Sequence, residues 1–329
     1  MHAPTTTRAF YRQSPRKVAA VVLALGVAGL PLGAQQGSAT QQEPEARIRV
    51  DVRLVLVEAT VKDKAGRVMG DLKKEDFVLG EDGTPLQVAH FSRDQLPLAV
   101  ALVVDLSASI APFLRPLRYA TATALKALKP EDEVALFTFS SEVERRVDLT
   151  RDKRAISDEI ELFRTGGATD INDALAQGAR YLRTEATAAR RVIVLVSDNV
   201  PSGPHSASFQ DVVDTALEAD AAIYSLRVPG QNPWETKLAA KARGMVNVEK
   251  AATETGGEVF DVEKEGSLFL AFQALIVRLK TRYTLGYYSS NRNEDGRLRK
   301  LNLRLAPSFG GNGRDYVVLS KTGYYAARR

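Results

Sequence analysis

The sequence predicts an α/β fold with a doubly wound, mostly parallel sheet, flanked by β segments on both sides. Three observations carry this expectation. Four short runs, at 98–104, 133–139, 192–196 and 221–228, are almost unbroken apolar stretches, the pattern of strands whose sheet is covered by helices on both faces. Between them, apolar residues recur every three or four positions. Phe113, Leu117, Ala120, Ala124 and Leu128 form one such series, and Ile171, Ala174, Leu175, Ala179 and Leu182 another, which is the period of a helix with one buried face. Strands alternating with helices build right-handed βαβ units. Outside about 96–280 the pattern becomes strand-like, which places β segments at 47–95 and 281–329.

Residues 1–34 contain Arg8, Arg12, Arg16 and Lys17, no acid, and the apolar run Val18-Ala-Ala-Val-Val-Leu-Ala-Leu-Gly-Val-Ala-Gly-Leu-Pro-Leu-Gly-Ala34. A basic start, an apolar stretch of about 12–14 residues and small residues at its end describe a secretory signal peptide. Cleavage is expected after Ala34. A membrane anchor normally needs about 20 apolar residues, and this run is shorter and broken by Pro31. Residues 35–46 are polar and read as a linker. The chain carries a formal charge of +5, yet without the four basic residues of the leader 41 basic residues face 40 acidic ones. Bulk attraction to nucleic acid therefore has little basis in the exported chain. No second apolar run reaches spanning length, so the expected location is periplasmic or extracellular, with no stable membrane span after cleavage.

From Ile48 onward apolar and polar residues alternate. Ile48, Val50, Val52, Leu54 and Leu56 are expected on one buried face, with Arg47, Arg49, Asp51 and Arg53 on the other. Asp63-Lys-Ala-Gly66 and Glu81-Asp-Gly83-Thr-Pro85 read as turns, flanked by short strands at 76–80 and 86–92. Further helical patterns lie at about 152–163, 208–219, 235–255 and 267–280. Beyond Lys280, strands are expected at 283–288, 300–305 and 316–320. Three strands alone bury little apolar surface, so they are expected to pack with the 47–93 strands in one β-sandwich interrupted by the α/β domain.

In an open parallel sheet, ligands bind beyond the carboxyl ends of the strands. There the first apolar strand ends in Asp105-Leu-Ser107-Ala-Ser109, a loop before a helix reads Thr165-Gly-Gly-Ala-Thr169-Asp170, and a third strand ends in Ser197-Asp198-Asn199. All three offer short oxygen side chains, the donors a hard divalent cation prefers. Any one of these segments alone reads as helix capping or a turn. Asp170 is read as the cap of the following helix, Asp173 as solvent-facing, and Asp132 and Glu133 as turn residues.

These residues resemble the metal-ion-dependent adhesion site of von Willebrand factor type A (VWFA) domains, a resemblance covering about 96–280. The lead-in Val61-Lys-Asp-Lys-Ala-Gly-Arg-Val-Met-Gly-Asp-Leu-Lys-Lys-Glu-Asp-Phe77, Glu81-Asp-Gly83, Tyr283-Thr-Leu-Gly-Tyr-Tyr288 and Gly323-Tyr-Tyr-Ala326 are similar to a secreted bacterial group of VWFA-related proteins. The resemblance implies a metal held by Asp105, Ser107, Ser109, Thr169 and Asp198, directly or through water. It implies Mg²⁺, with Mn²⁺ or Ca²⁺ as alternatives, and a protein partner supplying an acidic residue to the open metal position. Two positions depart from the family pattern: Ala108 and Asn199 stand where Gly is usual.

Other classes are disfavoured. Zero cysteines exclude thiol nucleophiles, iron–sulfur clusters and Cys-ligated zinc. No G-x-S-x-G elbow, P-loop or dinucleotide glycine pattern occurs, and the histidines are His2, His90 and His205. The basic cluster Arg292, Arg297, Arg299, Lys300 and Arg304 reads as a solvated sheet face. The expectation is an exported, non-enzymatic adhesion-like module, with a metal-dependent hydrolase or a metal-free structural interaction protein as alternatives.

Overall fold

The computed structural model describes residues 54–93, 96–186, 190–200, 207–230, 247–263, 267–309 and 315–328. The expected signal peptide, the linker, residues 47–53, His205 and the first part of the 235–255 helical pattern lie outside them. The described chain opens with β1 (Leu54–Asp63), β2 (Val68–Met69), β3 (Phe77–Glu81), β4 (Thr84–Leu86) and β5 (His90–Ser92). There follow β6 (Leu98–Asp105), α1 (Leu114–Ala127), β7 (Glu133–Phe139), β8 (Val143–Thr150), α2 (Lys153–Glu161) and α3 (Ile171–Glu185). Next come β9 (Arg190–Ser197), α4 (Phe209–Glu218), β10 (Ala221–Arg227), α5 (Val248–Thr255), β11 (Val259–Asp261) and α6 (Ser267–Lys280). The last strands are β12 (Tyr283–Tyr288), β13 (Leu298–Leu305), β14 (Tyr316–Ser320) and β15 (Gly323–Tyr325).

One sheet has the order β11-β10-β9-β6-β7-β8. All its neighbours run parallel except the edge strand β8, which pairs antiparallel with β7. Every residue of β6 is buried, as the unbroken apolar run requires of a strand covered on both faces. Leu117, Ala120 and Leu125 of α1, Ile156 and Ile160 of α2, and Leu268, Phe272 and Leu275 of α6 pack on one face. Ile171, Ala174 and Leu175 of α3, Val212 and Val213 of α4, and Val248 and Ala251 of α5 pack on the other. This is a doubly wound α/β layer.

The flanking β segments join. β1 lies between β12 and β14, with Val57 opposite Leu285 and Val61 opposite Val318, and β5 extends the sheet beyond β12. A second sheet runs β15-β13-β3-β4. Val57, Ala59, Val61, Phe77, Leu79, Leu285 and Tyr287 fill the space between the two sheets. The result is a β-sandwich built from both sides of the α/β insertion. Its polar ties connect the stretches noted in the sequence. Buried Glu81 accepts the hydroxyls of Tyr287 (2.5 Å) and Tyr324 (2.8 Å), and Tyr283 donates to the Met69 carbonyl (2.8 Å) while accepting from Leu72 N–H (3.0 Å).

Three expectations need correction. In β1 the buried apolar residues are Val55, Val57, Ala59 and Val61, whereas Leu54 and Leu56 lie on the exposed side. The stretch Leu54-Val-Leu-Val57 is apolar at every position, so its alternation carries no phase; pairing with β12 sets it. Arg299 is not part of a solvated face: it is buried and donates to Asp295 (2.9 Å) and to the Asn293 carbonyl (3.1 Å). Glu133, read with Asp132 as a turn residue, is instead the first residue of β7. Asp132 does close the 129–132 turn, donating its N–H to the Lys129 carbonyl (3.2 Å). It is buried there, accepting from Leu98 N–H (2.8 Å) and Lys129 N–H (2.7 Å). It ties the start of β6 to the turn before β7.

Candidate functional site

From β6 the chain moves to β7 on one side, then returns to β9 on the other side of β6 and continues to β10. The strand order therefore reverses between β6 and β9, and ligand crevices in such sheets form at that point, beyond the carboxyl ends. Asp105 is the last residue of β6, and Asp198 directly follows β9.

The residues there form one hydrogen-bonded oxygen cluster. Asp105 Oδ1 accepts the Ser107 N–H at 2.8 Å, and its Oδ2 accepts the Ser197 hydroxyl at 2.7 Å. Ser107 and Ser109 share a hydrogen bond of 3.0 Å between their hydroxyls. Ser109 hydrogen-bonds the Asp198 carboxylate, which also accepts the Val200 N–H at 2.9 Å. Thr169 is buried just ahead of α3, on a loop whose Gly166 N–H donates to the Leu106 carbonyl at 2.7 Å. The structure thus links Asp105, Ser107, Ser109 and Asp198 into one network and straps the Thr169 loop to the loop after β6.

Electrostatics follow from burial. Asp105 is fully buried, and desolvation pushes its carboxyl up to about 6, against the lowering effect of Ser197 and Ser107. Asp198, nearby, adds like charge; its own carboxyl is raised as well, again chiefly by burial. The contacts that the described residues make with these carboxylates come from hydroxyls and backbone N–H groups. A pair of desolvated carboxylates with hydroxyl neighbours is an all-oxygen donor set, which suits a hard divalent cation. Among the described residues no group of three or more His, Cys, Asp or Glu is arranged to hold a metal, so any such ion would depend on the hydroxyls.

Ser197, quoted at the strand end in the sequence but not counted among the candidate ligands, belongs to the cluster through its bond to Asp105. Its signal was present: it is the polar end of an apolar strand, and since Val104 pairs with Val196, the next position on β9 lies beside Asp105. The two departures from glycine also resolve. Asn199 has φ 59°, a left-handed conformation that glycine adopts freely and asparagine tolerates best among the others. Its amide oxygen accepts the Ser225 hydroxyl (3.0 Å) and its N–H donates to Ser197 Oγ (3.1 Å). Ala108 is not among the positive-φ residues, so nothing there calls for glycine. Asp170 caps α3, accepting the Asp173 N–H at 3.1 Å.

Residues 100–201 match the family model described as von Willebrand factor type A domain. The chain carries a von Willebrand factor type A domain. The matched stretch runs from β6 past the end of β9 and includes all five candidate positions. No curated protein matches the chain. Among solved structures, the chain is similar to an aerotolerance-related membrane protein from Bacteroides fragilis NCTC 9343 (16% identity, 55% of this chain and 98% of that one, TM-score 0.41). It is also similar to the vWF domain of a type V pili tip protein from Porphyromonas gingivalis (13% identity, 56% and 95%, TM-score 0.44). A von Willebrand factor type A protein from Catenulispora acidiphila matches at 12% identity over 84% of this chain and 73% of that one, TM-score 0.45. No helix among the described residues is long and apolar enough to cross a membrane.

Proposed function

We propose that this protein is an exported, non-enzymatic protein-interaction module whose von Willebrand factor type A domain binds a partner through a divalent cation, Mg²⁺ first, with Mn²⁺ or Ca²⁺ as substitutes. The observation that supports this reading is the oxygen cluster at the reversal point of the sheet, where two buried carboxylates meet serine hydroxyls. Asp105, Ser107, Ser109, Thr169 and Asp198 would hold the cation, directly or through water. A bound cation supplies a Lewis-acidic centre able to take a carboxylate from a partner protein. The chain's own residues prepare that centre. Ser197 and the Ser107 N–H fix the two oxygens of Asp105, burial keeps bulk water from competing, and Asp198 holds Ser109 in place. The export signal read at 1–34 supports an extracytoplasmic setting.

Thermal melting and calorimetry of the full chain with Mg²⁺ or EDTA test the reading. Mg²⁺ is expected to raise the melting temperature of the wild type and to leave Asp105→Ala unmoved. Equal, metal-insensitive melting in both proteins overturns the metal site, and turnover in a screen of ester and phosphoester substrates would favour a hydrolase instead.

A further inference from the structure

At the opposite, amino-terminal end of the parallel sheet lies a cavity of about 130 Å³, between the outer side of β1 and the α/β layer. Its charged lining is Glu58, Arg190, Arg191, Asp220, Arg282 and Lys321, four cations against two carboxylates. Arg190 and Arg282 are almost fully buried, with side chains 4% and 3% exposed. Cations so far from water are costly unless their N–H groups find acceptors.

The acceptors are too few. Glu58 stands 2.8 Å from Arg190 Nε and 3.2 Å from Arg282 Nη1, but neither contact is aligned as a hydrogen bond. Arg190 Nε, Arg282 Nε and Arg282 Nη1 are left without hydrogen-bond partners among the described residues. Asp220 is taken by Lys321 at 2.7 Å. Arg191 commits its donors to the Leu182, Ala186 and Ala219 carbonyls at the ends of α3 and α4, so it contributes charge without free N–H groups. The cavity therefore holds an excess of two positive charges, and its two buried guanidiniums share the single carboxylate of Glu58.

We propose that this cavity is an anion site for a small dianionic oxyanion of the phosphate class. Guanidinium groups bind tetrahedral oxyanions through several charge-assisted hydrogen bonds at once, and a dianion matches the excess charge. Roughly 10–15 Å³ already admits a water, so the volume suffices for one such anion with companion waters. Leu56 and Leu96, 36% and 48% exposed, form an open rim. The anion would bridge β1 and Arg282 of the sandwich to Arg190 of the α/β layer, far from the oxygen cluster at the carboxyl edge.

The test is calorimetry and melting of the full chain with inorganic phosphate at matched ionic strength, in EDTA throughout so that no metal-bound phosphate contributes. Phosphate, and not chloride, should raise the melting temperature of the wild type and of Asp105→Ala alike. Glu58→Gln removes the competing carboxylate and should tighten phosphate binding by about tenfold or more; Arg282→Gln should abolish the response. Absence of any phosphate-specific response in both wild type and Glu58→Gln overturns the site, as does an unchanged response in Arg282→Gln. Should Arg282→Gln fail to fold, Glu58→Gln decides alone. A second arm with glycerol phosphate separates a free anion from one carried on a larger molecule: equal binding places the phosphoryl group at the rim, and loss of binding confines the site to the inorganic ion.

Discussion

Asn199 shows how a single backbone angle shapes the candidate site. Its left-handed φ and its bond to Ser225 hold the turn that carries Asp198. Asn199→Ala should therefore destabilise the chain by about 1–2 kcal/mol, read by urea denaturation, while Asn199→Gly should cost less because glycine accepts the angle. Equal losses in the two variants would place the effect in the lost hydrogen bond instead of the backbone. Asp105 makes a second prediction at this scale. Without divalent cation its carboxyl titrates near 6 in the folded chain, against an ordinary value of 3.8. Between those pH values the folded chain holds a proton the unfolded one has lost, so stability present below about pH 4 declines as pH rises through 6. The span corresponds to about 3 kcal/mol. In EDTA, Asp105→Asn should flatten that decline; parallel pH profiles for the two proteins would refute it.

At the scale of elements, the strands and helices that bury a continuous apolar face were legible in the sequence. What escaped was structure held by polar atoms or by pairing. β8, Val143-Glu-Arg-Arg-Val-Asp-Leu-Thr150, is a charged edge strand whose outer residues meet solvent, so it lacks the apolar run of its neighbours. The expected 86–92 strand is split into β4 and β5, which pair in different sheets. Asp132 is the turn residue its sequence context suggests, and only the fold reveals that it also accepts two N–H groups from separate elements. Asp132→Ala should leave the Leu98 and Lys129 N–H groups without that acceptor and cost about 2 kcal/mol, with Asp132→Asn recovering part of it. Chemical denaturation checks both, and a loss below a few tenths of a kcal/mol would show that water replaces the carboxylate. That Asp105, Ser107, Ser109 and Asp198 come together was legible for the opposite reason. They lie at or just after the ends of β6 and β9, neighbouring strands whose topology decides what meets there, whereas Thr169 lies on the loop ahead of α3. Ser197, at an equally legible strand end, was quoted there without being singled out, because its partner Asp105 is fixed only by the β6–β9 register.

The whole molecule is organised by an insertion. β1 is held in its sheet by β12 and β14, strands more than 200 residues away, so the N-terminal β segment cannot complete its core without the C-terminal one. Removing residues 281–329 should therefore unfold the 54–93 strands, measured as loss of protection from limited proteolysis there; a truncated chain that keeps them protected would refute the shared core. The α/β layer leaves the sandwich after β5 and returns at β12, and these two strands are paired, Phe91 opposite Leu285. Both covalent connections to the candidate site thus emerge side by side. Tension drawn through a partner at the far edge would reach the sandwich at the start of β12, while tension along the N-terminal chain arrives at the start of β1. Because these strands run antiparallel, the two pulls act at opposite ends of one ladder and load all its rungs together, as a lap joint carries force, where a peeled seam would give way one rung at a time.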